Sequence, residues 1–180
     1  MDISRLLSTS ERLKILAYVL SHPSEEIVPD RIARKVGVSR SQAHKYVAIM
    51  RGEGLVRGKQ LEQGPVPDSL RLLMNTRRIS EARLTDALRR RFPKATGIGV
   101  FGSWANGTNE EGSDLDVWLK MPAEPPDLEV ARAKKETGEK LGAPLDMFIA
   151  TPARLSRLRE KSDAFYFSLY NGKLLWGEGL

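Results

Sequence analysis

Apolar positions recur at helical spacing through the front half of the chain and at strand spacing in the back half. Leu13, Leu16, Ala17 and Leu20 follow Ser8-Thr9-Ser10-Glu11, a capping-box pattern with Ser8 as N-cap and Glu11 three residues on; His22-Pro23 closes the helix. Pro29 suits a first helical position, Ile32, Ala33 and Val36 share one face, and Gly37 suits the residue after the helix end. Ser39 and Gln42 repeat the capping box, and Ala43, Val47 and Met50 follow at i, i+4 and i+7. Leu55-Val56-Arg57 and Leu70-Arg71-Leu72-Leu73-Met74 read as strands on either side of a loop tip, Gly64-Pro65-Val66-Pro67-Asp68, and so predict a hairpin. Arg77 to Phe92 reads as one connecting helix with Leu84, Ala87 and Leu88 on its apolar stripe. Beyond it, Ile98–Phe101, Leu115–Leu119 and Leu145–Ile149 read as strands. Asp127–Leu141 reads as a helix, and Thr151-Pro152 as the N-cap and first residue of another. Phe165, Phe167, Leu169 and Tyr170 are expected in the core.

Charge sharpens this division. The net charge of +6 over 180 residues splits into +8 for residues 1–93 and −2 for residues 94–180, which suggests two modules with different partners. Arg77, Arg78, Arg83, Arg89, Arg90 and Arg91 concentrate on the connecting segment, either as a solvated face or as a phosphate-contacting surface. The chain has no cysteine and only two histidines, His22 and His44. That excludes a disulfide framework, a thiolate zinc site, a cysteine nucleophile and a His-rich metal site, and fits a reducing, cytoplasmic setting. No apolar run reaches the roughly 18 residues of a membrane span, and Met1-Asp2 does not open a signal peptide.

Two short helices joined by Gly37-Val38-Ser39 have helix-turn-helix spacing. The outward positions of the second helix are Arg40, Ser41, His44 and Lys45, with Arg51 further along, side chains able to bond phosphates and base edges in a major groove. Ile32 to Arg57, "IARKVGVSRSQAHKYVAIMRGEGLVR", resembles the winged-helix transcription regulators. That resemblance covers roughly residues 8–75 and implies double-stranded DNA as a partner; such regulators often dimerise, which makes a homodimer compatible with the sequence.

The back half holds the chemistry. Gly102-Ser103 directly follows the strand Ile98–Phe101; glycine lets the backbone approach a phosphate, and a hydroxyl with free N–H groups at a helix start supplies donors. Asp114-x-Asp116 follows, and on a strand these two carboxylates share one face roughly 7 Å apart. Paired hard oxygens on a rigid strand suit Mg²⁺, and such a pair can hold two ions that align attacking and leaving oxygens. Asp146 is a lone charge in Pro144-Leu145-Asp146-Met147-Phe148-Ile149; a buried carboxylate there needs a partner or a metal, and the alternative is a solvated strand face.

"VFGSWANGTNEEGSDLDVWL" resembles the signature of the DNA polymerase beta nucleotidyltransferase superfamily, and the short length points to its minimal members. The resemblance covers about residues 80–178, including the closing "NGKLLWGEG". It implies that Gly102 and Ser103 hold the phosphates of a nucleoside triphosphate, ATP first among them. It further implies that Asp114 and Asp116 bind Mg²⁺ and that Asp146 binds a second ion or acts as base toward an acceptor hydroxyl. Asn106 stands where many minimal members carry a basic residue, which removes one phosphate contact. Minimal members are often antitoxins that adenylylate a partner toxin, commonly of the HEPN class. The competing expectation is a DNA-binding regulator or antitoxin whose second domain binds nucleotide or partner without turnover. The expected architecture is therefore a two-domain α/β (α+β) protein. It has a winged helix-turn-helix over residues 1–76, a basic connecting helix over 77–93, and a nucleotidyltransferase fold with a mixed sheet flanked by helices over 94–180.

Overall fold

The computed structural model describes residues 2–160 and 164–180. The chain divides into two compact units, residues 1–71 and 72–180.

The first unit is helical with one small hairpin. Helices α1 (Ile3–Leu6), α2 (Ser10–Ser21), α3 (Pro29–Val36) and α4 (Arg40–Gly52) are followed by β1 (Val56–Arg57) and β2 (Gln60–Leu61). Leu16, Leu20, Ile32, Ala33, Ala43, Val47 and Met50 are buried, as the helical periodicity predicts; Leu13, Ala17 and Val36 are half-buried, and Ile15 is buried outside the expected stripe. Tyr46 joins them and donates its hydroxyl to the Leu6 carbonyl at 2.8 Å. α2 is capped one residue later than the sequence pattern suggests. Thr9, not Ser8, accepts from the Arg12 amide, while the Ser8 hydroxyl accepts from the Arg12 guanidinium. At α4 the expected capping box is present in both directions between Ser39 and Gln42.

The expected hairpin is displaced. β1 and β2 pair antiparallel around Gly58-Lys59, with Gly58 at φ +60°, so the turn falls before Gly64. Pro65 instead opens a 17-residue helix, α5 (Pro65–Glu81), and Leu70–Met74 lies within it. The physical reason is visible in its buried face. Arg71, Asn75 and Ile79 follow at i, i+4 and i+8, but two of the three are polar, which hides the helical period from an apolar count. Arg71 is satisfied there by the Leu20 carbonyl at 2.7 Å and the Asp68 carboxylate at 3.1 Å.

The single helix expected over Arg77–Phe92 is two. α5 stops at Glu81, Arg83 adopts φ +50°, and α6 (Leu84–Arg91) begins. Arg83 is the one non-glycine among the described residues with positive φ. Ile79, Leu84, Leu88 and Phe92 pack into the core of the second unit, so the arginine-rich segment is built into that unit.

The second unit is a four-stranded mixed sheet in the order β5-β4-β3-β6. Its strands are β3 (Gly97–Phe101), β4 (Leu115–Lys120), β5 (Leu145–Ala150) and β6 (Lys173–Gly177). β3 runs antiparallel to β4 and β6, and β4 runs parallel to β5. The parallel step is made by helix α8 (Asp127–Leu141), long enough for the crossover that parallel strands require. Leu115, Val117 and Leu119 are fully buried on one face with Ile98, Val100, Leu145 and Ile149. The opposite face carries a smaller cluster of Phe101, Trp118 and Leu169, flanked by Phe148. Helices α9 (Pro152–Glu160) and α10 (Ala164–Tyr170) precede β6, and Thr151 caps α9 as expected. Of the four apolar residues expected in the core from α10, only Leu169 is buried; Phe165, Phe167 and Tyr170 are exposed. No described helix is long and apolar enough to cross a membrane.

The reassignment of residues 70–74 is testable. Leu73 is exposed in the interior of α5, so Leu73→Pro should cost about 3 kcal/mol through the lost hydrogen bond and ring clash. Leu73→Ala should be nearly neutral. Chemical denaturation followed by circular dichroism reads both; equal stabilities would contradict the helix.

Candidate active site

The site is assembled by strand register. Phe101, the last residue of β3, lies opposite Asp116 on β4, and Asp116 lies opposite Asp146 on β5. Alternation along β4 sends Leu115 and Val117 into the core and Asp116 to the other face, with Asp146 in the same rank. Asp114 sits one residue ahead of β4 and is exposed. Trp118 shares the carboxylate side, buried against Phe101 and Leu169, and so walls the site from below.

Gly102 follows Phe101 at φ +68° and starts α7 (Gly102–Asn106), with Ser103 next. Two independent constraints require glycine here. The backbone lies in the left-handed region, and a Cβ at Gly102 would run into the Asp116 carboxylate. The chain therefore brings a bare backbone against a half-buried carboxylate, with the half-buried Ser103 next in sequence. α7 ends at Gly107 in the left-handed conformation, and the Gly107 and Thr108 amides both return to the Ser103 carbonyl. Trp104 is buried and donates its indole N–H to the Ser113 carbonyl at 3.2 Å, which gives it a packing role.

The carboxylates have opposite electrostatic surroundings. Asp116 is held above the usual carboxylate range, first by burial and then by the negative charges of Asp146 and Asp114. Asp146 is held below it, first by a hydrogen bond from Lys134 and also by the Met147 amide. The Lys134 ammonium on α8 reaches the Asp146 carboxylate at 2.6 Å. Asp146 is thus not the buried carboxylate that its apolar neighbours suggest: its side chain is 61% exposed and ion-paired. β5 is an edge strand, and one face of it is wet.

Asp116 lies against the glycine-serine turn and is repelled by Asp146 and Asp114, surroundings in which a cation would be neutralising. As the side chains stand, no three acidic or histidine groups among the described residues converge to hold an ion. Asp146 would have to share itself between Lys134 and a metal.

Two groups near the site carry no sequence signal. Lys134 lies in a helix of alternating lysine and glutamate, indistinguishable by pattern from its solvated neighbours. Asn75 and Asn109 lie far apart in sequence, yet both are buried and joined by hydrogen bonds beside Trp104. In the first unit, Arg40, Ser41, His44 and Lys45 are all exposed along the start of α4, and Asp30 on α3 approaches Arg40 at 3.9 Å and His44 at 3.3 Å.

Comparison with known families matches residues 81–170 to the nucleotidyltransferase domain. The chain belongs to that family. The match spans β3, the Gly102-Ser103 turn, Asp114, Asp116, α8 and Asp146, so the family assignment and the strand register meet on the same residues. Its general activity is transfer of a nucleoside monophosphate, and the protein is accordingly a transferase. None of the curated proteins compared with the chain matches it.

The Lys134–Asp146 pair predicts a titration. Lys134→Met should raise the Asp146 pKa toward the ordinary carboxylate range, read by carboxyl-carbon NMR. The sign for stability follows from the depressed native value. The pair's contribution is present above the unfolded carboxylate pKa and fades as pH falls through the folded one. The variant should therefore show less acid-dependent loss of stability than the wild type.

Proposed function

We propose that the protein is a Mg²⁺-dependent nucleotidyltransferase that moves a nucleoside monophosphate, AMP from ATP in the first instance, to an acceptor hydroxyl. We further propose that its first unit is a winged helix that contacts double-stranded DNA. The observation that carries the enzymatic reading is the rank Phe101–Asp116–Asp146, which sets the Gly102-Ser103 turn beside two strand carboxylates.

The residues divide the work as follows. The open backbone at Gly102 and the hydroxyl of Ser103 receive the β- and γ-phosphates. Asp114 and Asp116 would hold Mg²⁺. What the metal supplies when bound is neutralisation of the triphosphate and alignment of the attacking and leaving oxygens. Asp146, kept ionised by Lys134, either completes the donor set for a second ion or accepts the proton of the acceptor hydroxyl. The acceptor oxygen forms a bond to the α-phosphorus, the bond from that phosphorus to its bridging oxygen breaks, and pyrophosphate leaves. The acceptor class that the minimal members suggest is a hydroxyl of a partner protein, such as a HEPN-class toxin.

For the first unit, support comes from the packing of α3 against α4, the short hairpin after α4, and the exposed row Arg40, Ser41, His44 and Lys45. Asp30 opposes part of this row, so phosphate contact has to compete with two weak surface pairs.

Incubation with labelled ATP, Mg²⁺ and candidate acceptors tests the enzyme. Pyrophosphate release should fall by about 10²–10³-fold in Asp114→Ala and Asp116→Ala, the scale of losing a principal charge-stabilising group. Tight, salt-sensitive DNA binding with no turnover on any acceptor would replace this reading with that of a regulator. For the DNA reading, Arg40→Ala and Lys45→Ala should each weaken binding and together lower the salt dependence by about two counterions, while ATP affinity stays unchanged. Unaltered DNA affinity in both would remove α4 as the contacting face.

A further inference from the structure

The second half of α5 grips the turn that follows β3. Asn75 is 6% exposed, and its amide nitrogen donates to the Trp104 carbonyl at 2.9 Å and to the Asn109 side-chain oxygen at 2.7 Å. The Asn109 amide returns a longer bond to the Asn75 oxygen at 3.4 Å. Asn109 is equally buried, at 6%, although it lies in the loop between α7 and β4. One turn along α5, Arg78 lies over the Trp104 ring at 5.2 Å. Its guanidinium donates to the Leu141 and Gly142 carbonyls at the end of α8.

These contacts fall on a short piece of chain. α7 has five residues, and beyond it the loop is tied by backbone returns to Ser103 and by the Glu110–Ser113 turn. That loop leads directly to Asp114. Asn75 therefore bonds a carbonyl one residue after Ser103 and a side chain five residues before Asp114. Buried amides satisfied in this way hold one geometry, because an alternative geometry leaves them unpaired at a cost. Asn75 also lies outside the residues matched to the family, so this tether is supplied by the chain's own preceding helix.

We propose that Asn75, with Asn109 as its partner, is a positioning residue for triphosphate binding: it fixes the Gly102–Asp114 segment in its phosphate-receiving form. This rests on the reading of Gly102 and Ser103 as the triphosphate site. Asn75 touches no substrate in this scheme and acts only through the loop.

The test is calorimetric binding of a non-hydrolysable ATP analogue with Mg²⁺ to the full chain, alongside thermal unfolding and amide hydrogen exchange. Ser103→Ala reports on the site itself and should weaken binding. Asn75→Ala should weaken binding about tenfold, the effect of roughly one lost hydrogen bond's worth of preorganisation. It should also speed exchange at the amides of residues 107–114 and leave those of β4 unchanged. Asn109→Ala keeps the bond from Asn75 to Trp104 and should weaken binding less. Asn75→Leu combined with Asn109→Leu removes both buried side-chain amides and leaves the Trp104 carbonyl without their donor; it should recover part of the melting temperature lost in Asn75→Ala and none of the affinity. A merely structural role would restore both together, so wild-type affinity in the double variant overturns the proposal. So does an Asn109→Ala loss equal to that of Asn75→Ala. No analogue binding in the wild type, or wild-type binding in Ser103→Ala, overturns the underlying site reading instead.

Discussion

Leu115, Val117 and Leu119 hold the second unit in register, and the site exists because they do. All three are fully buried, and the strand's period of two then leaves Asp116 and Trp118 on the other face. A slip of one residue would drive the Asp116 carboxylate into the apolar layer and expose three large side chains. The fold therefore penalises any pairing except the one that ranks Phe101, Asp116 and Asp146 across three strands. Apolar burial, which has no direction of its own, becomes directional through alternation.

The electrostatics follow from where each strand sits. β4 is central and half-buries Asp116, which burial and two like charges push toward protonation. β5 is an edge, and Asp146 is wet enough to be reached by Lys134 from α8. Two aspartates in one rank are driven apart in acidity, Asp146 chiefly by the hydrogen bond from Lys134 and Asp116 chiefly by burial.

Much of this was legible in the residues, and the failures share a cause. Strands at Ile98, Leu115 and Leu145 read correctly because one face of each is apolar throughout, while the other mixes apolar residues with Asp116 and Asp146. Gly102, Ser103, Asp114, Asp116 and Asp146 could be named because glycine and paired carboxylates are rare enough in that spacing to stand out. Residues 65–81 could not be read as a helix, because arginine and asparagine stand among the side chains it buries, with hydrogen-bond partners far away in sequence. Lys134 and the Asn75–Asn109 pair were hidden for the same reason: their significance comes from contacts across 12 and 34 residues. α10 erred in the other direction, since an aromatic-rich run looks like core whether or not the fold covers it.

The open side of β5 has a consequence outside catalysis. An edge strand presents unpaired backbone groups to any other extended chain, and an apolar run such as Leu145–Ala150 invites such pairing. Asp146 and the ammonium held against it place an ion pair near the start of that run. A second strand adding there would have to strip water from both charges. The charge that marks the site thus also guards the protein against sticking to itself.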